Sequence, residues 1–317
     1  MRYREFGNSG LQTSVIGFGG WPMGKGHYGS FDEDEVVYAI HKAIDLGVTL
    51  FDTAAVYGWG EGEKLLGRAL EGKRDKVVLV SKGGLDWDQP GSPSKRNSSR
   101  EHLTSGIEES LRNLQTDYLD LYLIHWPDPD RPFSEPMDTF SCFKTAGKII
   151  QGGVSNFDVG QMAECLKHFP IVTNQVGYHL FDDRPEEEVM DFCLENDMGV
   201  MAYGPMAHGL LTGTMSAETK FENDDWRRSL QAFGQPIFEG EHFLRNLERV
   251  DRLRDYASEK GYTVAQLALA WVIANPVVSV ALAGTRRASE IEQNVEAANW
   301  VMSEDERELI RSVVSEN

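Results

Sequence analysis

Four side chains suited to proton transfer lie at or just after the ends of short apolar runs. Asp52 ends one run, and Tyr57 follows it five positions later. Lys82 and His125 each come directly after another run. Runs of this length, bounded by glycine, proline or polar residues, are typical of parallel strands buried on both faces. Because the carboxyl ends of parallel strands meet along one rim, we expect these four side chains, the quartet, to converge there.

The chemistry that fits the quartet is proton transfer to a carbonyl oxygen. A free phenol has a pKa of about 10, and a nearby ammonium such as Lys82 is expected to lower the pKa of Tyr57 by stabilising the phenolate. Asp52 could hold Lys82 charged and correctly aimed. His125 could donate a hydrogen bond to the carbonyl oxygen of a substrate. Such a site contains no reductant, so a cofactor must supply the hydride.

Strand and helix signals alternate along the chain, which predicts the elements that position the quartet. About eight strands, each followed by a helix or a long loop, indicate the α/β class with a single (β/α)8 TIM barrel domain over residues 1–317. Residues 2–13 predict an N-terminal β-hairpin, and segments 86–97 and 204–240 predict long loops at the C-terminal rim. The predicted strands cover residues 14–18, 48–51, 76–81, 119–124, 151–154, 171–176, 199–203 and 278–283.

The predicted helices follow the strands at the spacing of a barrel. Capping boxes at Ser98 with Glu101 and at Thr263 with Gln266 are expected to open two of them. The second of these helices should end at Asn275, before Pro276. The other predicted helices cover residues 33–46, 62–70, 133–145, 159–168, 185–196, 289–299 and 303–314.

Composition excludes several partners. The net charge of −19 opposes binding to nucleic acids or anionic membranes, so an anionic cofactor would need local donors. Three widely spaced cysteines and the absence of a Cys/His ligand set indicate reduced thiols and no metal site. The N-terminus lacks the apolar stretch of a signal peptide, and the apolar segment 264–284 is interrupted by Pro276. We therefore expect a cytoplasmic protein that does not span a membrane.

The chain resembles the aldo-keto reductase superfamily over essentially its full length. The resemblance lies in FDTA with Tyr57-Gly58, GEGEKLLGRAL from Gly60, Ser81-Lys82, LDLYLIHWP from Leu119, GVSNF from Gly153 and GPMAHGLLTG from Gly204. It implies that the quartet is a catalytic tetrad and that a nicotinamide cofactor binds in an extended form without a Rossmann domain. The expected function is reversible NAD(P)H-dependent reduction of aldehyde or ketone carbonyls to alcohols, with Tyr57 as general acid/base and a small carbonyl or alcohol as the substrate. The oligomeric state stays open.

The resemblance also implies cofactor contacts. Ser155, Asn156 and Gln175 match positions that bind the nicotinamide carboxamide, and Tyr203 matches a ring that stacks on the nicotinamide. Thr285 and Arg286 match partners of a 2′-phosphate, so NADP(H) is expected. Glu290 stands where many relatives have Arg or Gln, and because a carboxylate there would repel a 2′-phosphate, NAD(H) is also possible. The other implied contacts are Gly20, Trp21, Gly204, Pro205, Met206, Gly209, Leu211, Gly284, Gln293 and Asn294.

Substrate recognition is expected from aromatic side chains near the rim. Trp21 and Trp126 match aromatic positions that line family pockets. Trp59 and Trp87 lie in rim loops and are expected to join them, beside Tyr57 and His125. The long C-terminal substrate loop of some relatives is expected to be absent, so specificity should depend on segments 86–97 and 204–240.

Two other functions fit the same residues less well. Some relatives resemble cofactor-sensing subunits, so the chain could be an NADP(H)-binding regulatory subunit with little turnover. A barrel lyase or aldolase would instead use Lys82 as a Schiff-base nucleophile.

Overall fold

Eight parallel strands close into a barrel in the computed structural model, which describes residues 1–24, 29–222 and 225–315. Each strand pairs in parallel with the next, and the last pairs with the first, which confirms the predicted (β/α)8 TIM barrel. The barrel strands are β3 (Ile16–Gly19), β4 (Leu50–Asp52), β5 (Val78–Gly83), β8 (Leu119–Ile124), β9 (Ile149–Ser155), β10 (Thr173–Gly177), β11 (Gly199–Tyr203) and β12 (Val278–Gly284).

Two pairs of short antiparallel strands lie outside the barrel. The predicted hairpin is present as β1 (Tyr3–Glu5) and β2 (Gln12–Ser14), so Ser14 belongs to the hairpin and not to the first barrel strand. Phe6 of the hairpin is fully buried and packs with residues of the barrel interior. The second pair, β6 (Leu85–Asp86) and β7 (Lys95–Arg96), encloses most of the 86–97 segment and was not predicted.

Ten α-helices occur in the described residues. Their bounds are α1 (Glu33–Asp45), α2 (Glu61–Ala69), α3 (Arg100–Leu114), α4 (Ser134–Thr145), α5 (Val159–Leu166), α6 (Val189–Glu195), α7 (Gly240–Glu259), α8 (Val264–Ala274), α9 (Ala288–Glu296) and α10 (Glu304–Ser315). The capping box of Thr263 with Gln266 is present at the start of α8, as predicted. None of these helices is long and apolar enough to cross a membrane.

The structure corrects two of the predicted helix boundaries. The N-cap of α3 is Ser99, whose hydroxyl accepts from the His102 N–H, because Ser98 instead donates its backbone N–H to Asp128 Oδ2 at 2.7 Å. The predicted helix over residues 185–196 is a 3-10 turn followed by α6, separated at Glu188 by non-helical backbone. Glu186, in the 3-10 turn, forms ion pairs with Arg307 and Arg311 of α10, and these contacts fix the turn against α10.

Helix α7 had no counterpart among the predicted elements. Its buried Phe243, Val250, Leu253 and Ala257 recur at helical spacing, so an amphipathic signal was present in the sequence. The remainder of this helix is strongly charged, and it follows the long aromatic segment directly.

Residues 223 and 224 of segment 204–240 lie outside the described residues.

Candidate active site

The carboxyl ends of the barrel strands bring the quartet together on one rim. Asp52 is the last residue of β4, Lys82 lies near the end of β5, and His125 directly follows β8. The loop after β4 is held against β5, because the N–H groups of Thr53 and Ala55 donate to carbonyl groups of β5. This attachment places Tyr57 over Lys82.

Lys82 forms hydrogen bonds to two other members of the quartet, Asp52 and Tyr57. Its ammonium donates to Asp52 Oδ2 at 2.7 Å, to the Thr53 carbonyl at 3.0 Å and to the Tyr57 hydroxyl oxygen at 3.1 Å. An ammonium has three donors, so all three are used. The Lys82 side chain is fully buried, and that of Asp52 nearly so. A lysine bound in this way is a positioned cation and is poorly suited to attack a carbonyl, which argues against the Schiff-base alternative.

Tyr57 accepts from Lys82, and that direction leaves its own O–H proton available. No acceptor for this proton occurs among the described residues. The hydroxyl can therefore donate to the oxygen atom of a ligand in the cleft.

Burial is the largest cause of the pKa shifts of the quartet side chains. Burial raises the pKa of Asp52 and lowers the pKa of Lys82, and in each case the partner's charge and their hydrogen bond oppose the shift. Burial, followed by the charge of Asp52, raises the pKa of Tyr57 well above 10. The expectation that Lys82 lowers the pKa of Tyr57 is therefore wrong for this structure. The physical reason is that burial and the charge of Asp52 both favour the neutral phenol and outweigh the lowering expected from Lys82.

His125 is neutral in this environment. Burial and then the charge of Lys82 hold the pKa of its imidazole well below 6.5. Its ring meets the Tyr57 ring edge-on, with centroids 5.7 Å apart. A neutral imidazole keeps one N–H donor, so it can bind an oxygen atom beside the Tyr57 hydroxyl without adding a charge.

Asn156, which directly follows β9, forms side-chain hydrogen bonds to His125 after β8 and to Tyr203 at the end of β11. It has a positive φ of 64°, a conformation that asparagine tolerates better than most residues. Its amide donates to the His125 carbonyl at 3.1 Å, and its side-chain oxygen accepts from the Tyr203 hydroxyl at 2.9 Å. Backbone strain of this kind concentrates at functional sites.

Gln175 contacts the quartet directly. Its amide donates to Asp52 Oδ1 at 2.8 Å, so Asp52 is fixed through both oxygens. The Ser155 hydroxyl donates to the Gln175 carbonyl at 2.9 Å. The Gln175 side-chain oxygen accepts no hydrogen bond from the described residues, so it can accept one from a ligand amide.

A cleft of about 470 Å³ extends from the quartet to the segment after β12. This volume is in the range of small-molecule sites. Asp52, Tyr57 and His125 line it, whereas Lys82 lies beneath its wall. The other predicted residues that line it are Trp21, Trp126, Ser155, Asn156, Gln175, Tyr203, Gly204, Pro205, Met206, Gly209, Gly284, Thr285, Arg286 and Glu290.

Six predicted contact residues are not among those that line the cleft. Gly20 packs against β4, and a Cβ atom there would lie 2.4 Å from the Asp52 carbonyl oxygen. Leu211 and Asn294 are buried and Gln293 is exposed. The remaining two are Trp59 and Trp87, both half-buried in their own loops.

Segment 204–240 contributes lining residues that the sequence analysis did not identify. Phe233 packs against Trp126 and Tyr203, with ring centroids 6.5 Å and 5.3 Å apart. Trp226 stacks on Trp21 with centroids 5.1 Å apart. Arg227 also lines the cleft and donates to the His208 carbonyl at 3.2 Å. The only available signal was the high aromatic content of the segment, since these contacts join residues far apart in the chain.

The donor set of the cleft fits an extended anionic ligand that ends in an amide. Arg227 and Arg286 line its walls, so cationic side chains are present locally despite the net charge of −19. The loop from Gly204 to Gly209 contributes backbone to the wall, and glycines there allow close approach. Within the described residues, no group of three or more His, Cys, Asp or Glu side chains could hold a metal ion.

Comparison with known proteins gives the following matches. A family model described as the aldo/keto reductase family matches residues 15–315. Aldo-keto reductase YhdN of Bacillus subtilis is 35% identical over 99% of this chain and 94% of the relative. The NADH-specific methylglyoxal reductase of Escherichia coli is 28% identical over 99% of this chain and 98% of the relative.

Solved structures match along the whole barrel. The glycerol dehydrogenase AKR11B4 of Gluconobacter oxydans has a TM-score of 0.90 and 30% identity, covering 99% of this chain and 95% of that one. An aldo/keto reductase of Klebsiella pneumoniae, solved in complex with NADP and acetate, has a TM-score of 0.76 and 30% identity, covering 98% of this chain and 95% of that one.

Proposed function

The chain belongs to the aldo/keto reductase family, and from that premise we propose that it is an NAD(P)H-dependent oxidoreductase that reduces aldehyde or ketone carbonyls to alcohols. The observation that carries this proposal is the 3.1 Å contact between Lys82 Nζ and the Tyr57 hydroxyl at the wall of the cleft. A proton donor, its cationic neighbour and a neutral imidazole then face one position, where a carbonyl oxygen can bind.

The residues present fit a nicotinamide dinucleotide. Ser155, Asn156 and Gln175 would hold the carboxamide, Tyr203 would offer its ring to the nicotinamide, and the loop from Gly204 would approach the pyrophosphate. The cofactor, when bound, supplies the hydride. Structures and relatives in the family include an NADP complex and an NADH-specific enzyme, so both dinucleotides fit the proposal.

Tyr57 would donate the proton to the carbonyl oxygen. Its raised pKa keeps the phenol protonated near neutrality, which is the state that carbonyl reduction needs. The hydrogen bond from Lys82 fixes the phenol oxygen and stabilises the negative charge that develops as the proton leaves. In the reverse reaction, the oxidation of an alcohol, the Tyr57 phenolate would accept the proton.

His125 would orient the carbonyl through its neutral N–H. Trp21, Trp126 and Phe233 form the aromatic wall around the same position. An apolar or aromatic substituent on the carbonyl would bury surface against these rings, so carbonyls of that kind are expected to bind more tightly than highly polar ones.

The pH dependence of kcat/KM for reduction should be flat from about pH 6 to about pH 9. His125 stays neutral because its pKa lies well below 6.5, and Tyr57 stays protonated because its pKa lies well above 10. The measurement is kcat/KM at constant ionic strength with a substrate that does not titrate. A transition near pH 6.5 that disappears in His125→Gln would show that the imidazole titrates, contrary to this account.

The proposed function is tested by binding and then by turnover. Titration with NADPH and NADH should quench tryptophan fluorescence, because Trp21 and Trp126 line the cleft. A panel of aldehydes and ketones, with the tighter-binding cofactor, should then give oxidised cofactor and alcohol in equal amounts. Tight binding of a dinucleotide with negligible rates across the panel, together with a stable protein complex, would favour the regulatory subunit instead.

A further inference from the structure

The end of the cleft farthest from the quartet is formed by the segment that follows β12. Thr285, Arg286 and Glu290 line it. Thr285 is 2% exposed, whereas Glu290 is an exposed residue in the first turn of α9. Under the proposed function, this is the region that would meet the ribose of the adenosine.

The carboxylate of Glu290 already occupies the donors at this end. Its Oε2 atom accepts from the Thr285 hydroxyl at 2.8 Å and from the Arg286 backbone N–H at 3.1 Å. A hydroxyl and a backbone N–H are the groups that a 2′-phosphate would need here. The Glu290 carboxylate therefore occupies the position at which the 2′-phosphate of the cofactor would bind.

The guanidinium of Arg286 is held by another part of the chain. It donates to the Ser30 carbonyl at 3.2 Å and lies over the Phe31 ring at 5.5 Å. Any 2′-phosphate would thus meet the Glu290 carboxylate first, and would recruit Arg286 only by displacing these contacts.

A free 2′-hydroxyl, unlike a 2′-phosphate, interacts favourably with a carboxylate. It can donate a hydrogen bond to a carboxylate, which is how acidic side chains recognise the ribose of NAD in other folds. The Glu290 Oε1 atom accepts no hydrogen bond from the described residues and can serve this purpose. The carboxylate thus matches a ribose hydroxyl and opposes a phosphate.

We propose that Glu290 is the specificity-determining residue that makes NAD(H) the more tightly bound cofactor. This inference rests on the proposed function, because it assumes that a dinucleotide occupies the cleft. Both dinucleotides remain ligands of the cleft, and Glu290 sets which of them binds more tightly.

The test compares dissociation constants, obtained by fluorescence quenching, for NADH and NADPH. In the wild type, NADH should bind more tightly than NADPH. Glu290→Gln keeps the size of the side chain and removes its charge, so NADPH affinity should rise by about 10-fold or more while NADH affinity stays equal or weakens.

Glu292→Gln is the matched control. Glu292 lies in the same helix and pairs with Lys42 at 2.8 Å, outside the residues that line the cleft. Glu292→Gln changes the net charge by the same amount as Glu290→Gln but lies outside the cleft. Its ratio of NADPH to NADH affinity should therefore equal that of the wild type.

Two results would overturn the proposal. Wild-type binding of NADPH as tightly as NADH, or more tightly, is one, and a ratio in Glu290→Gln within about two-fold of the wild-type ratio is the other. Failure of both dinucleotides to bind the wild type would instead remove the proposed function, and this inference with it.

Discussion

Tyr57→Phe is expected to lower kcat for carbonyl reduction by between about 100-fold and about 10,000-fold, the usual contribution of a positioned general acid. The variant loses the O–H that has no acceptor among the described residues, while the ring and its edge-on contact with His125 remain. The dissociation constant of the cofactor should change little, because the hydroxyl is proposed to act on the substrate oxygen. Stopped-flow single-turnover measurements with saturating cofactor separate the two effects.

Tyr38→Phe is the control for this substitution. Tyr38 is 62% exposed on α1, so the same loss of a hydroxyl should leave kcat unchanged. Turnover of Tyr57→Phe at the wild-type rate would remove the proposed role of the phenol. Loss of cofactor binding in that variant would show that the hydroxyl supports the cofactor and not the chemical step.

Lys82→Met is expected to destabilise the fold by about 3–5 kcal/mol as well as to reduce activity, because it leaves a buried carboxylate without its cation. Asp52 is 3% exposed and would retain only the hydrogen bond from Gln175 among the side chains now bound to it. The free energy of unfolding is measured by urea denaturation, with catalytic rates measured on folded protein.

The Asp52→Asn/Lys82→Met double variant separates stability from catalysis. Removing both charges should recover most of the lost free energy of unfolding, since no unpaired ion remains buried. Activity should stay low, because Tyr57 would still lack the donor that fixes its oxygen. Wild-type activity in the double variant would contradict the role given to Lys82.

The barrel and its catalytic rim could be predicted because their signals are local in the sequence. Apolar runs that end on Asp52, Lys82 and His125 place each side chain at a strand end, and parallel pairing then brings them to one rim. Alternation of strands and helices indicates a parallel sheet, and the count of about eight strands indicates that this sheet closes into a barrel.

Several features that were missed depend on contacts between distant parts of the chain. Phe233 reaches Trp126 from a segment that contains short 3-10 helices, and no periodic pattern indicated this contact. The N-cap of α3 moved to Ser99 because Asp128, 30 positions after Ser98, binds that serine. The pKa of Tyr57 is raised because burial and the charge of Asp52 outweigh the effect expected of Lys82.

The proposed mechanism requires that hydride reaches a carbonyl carbon in the cleft as Tyr57 protonates the oxygen. This is measured by a single turnover with reduced cofactor that carries deuterium at both positions of nicotinamide C4, followed by mass spectrometry of the alcohol. One deuterium on the carbinol carbon is expected for each cofactor oxidised, with little product from Tyr57→Phe under the same conditions. An alcohol without deuterium, or equal product from the two proteins, would contradict it.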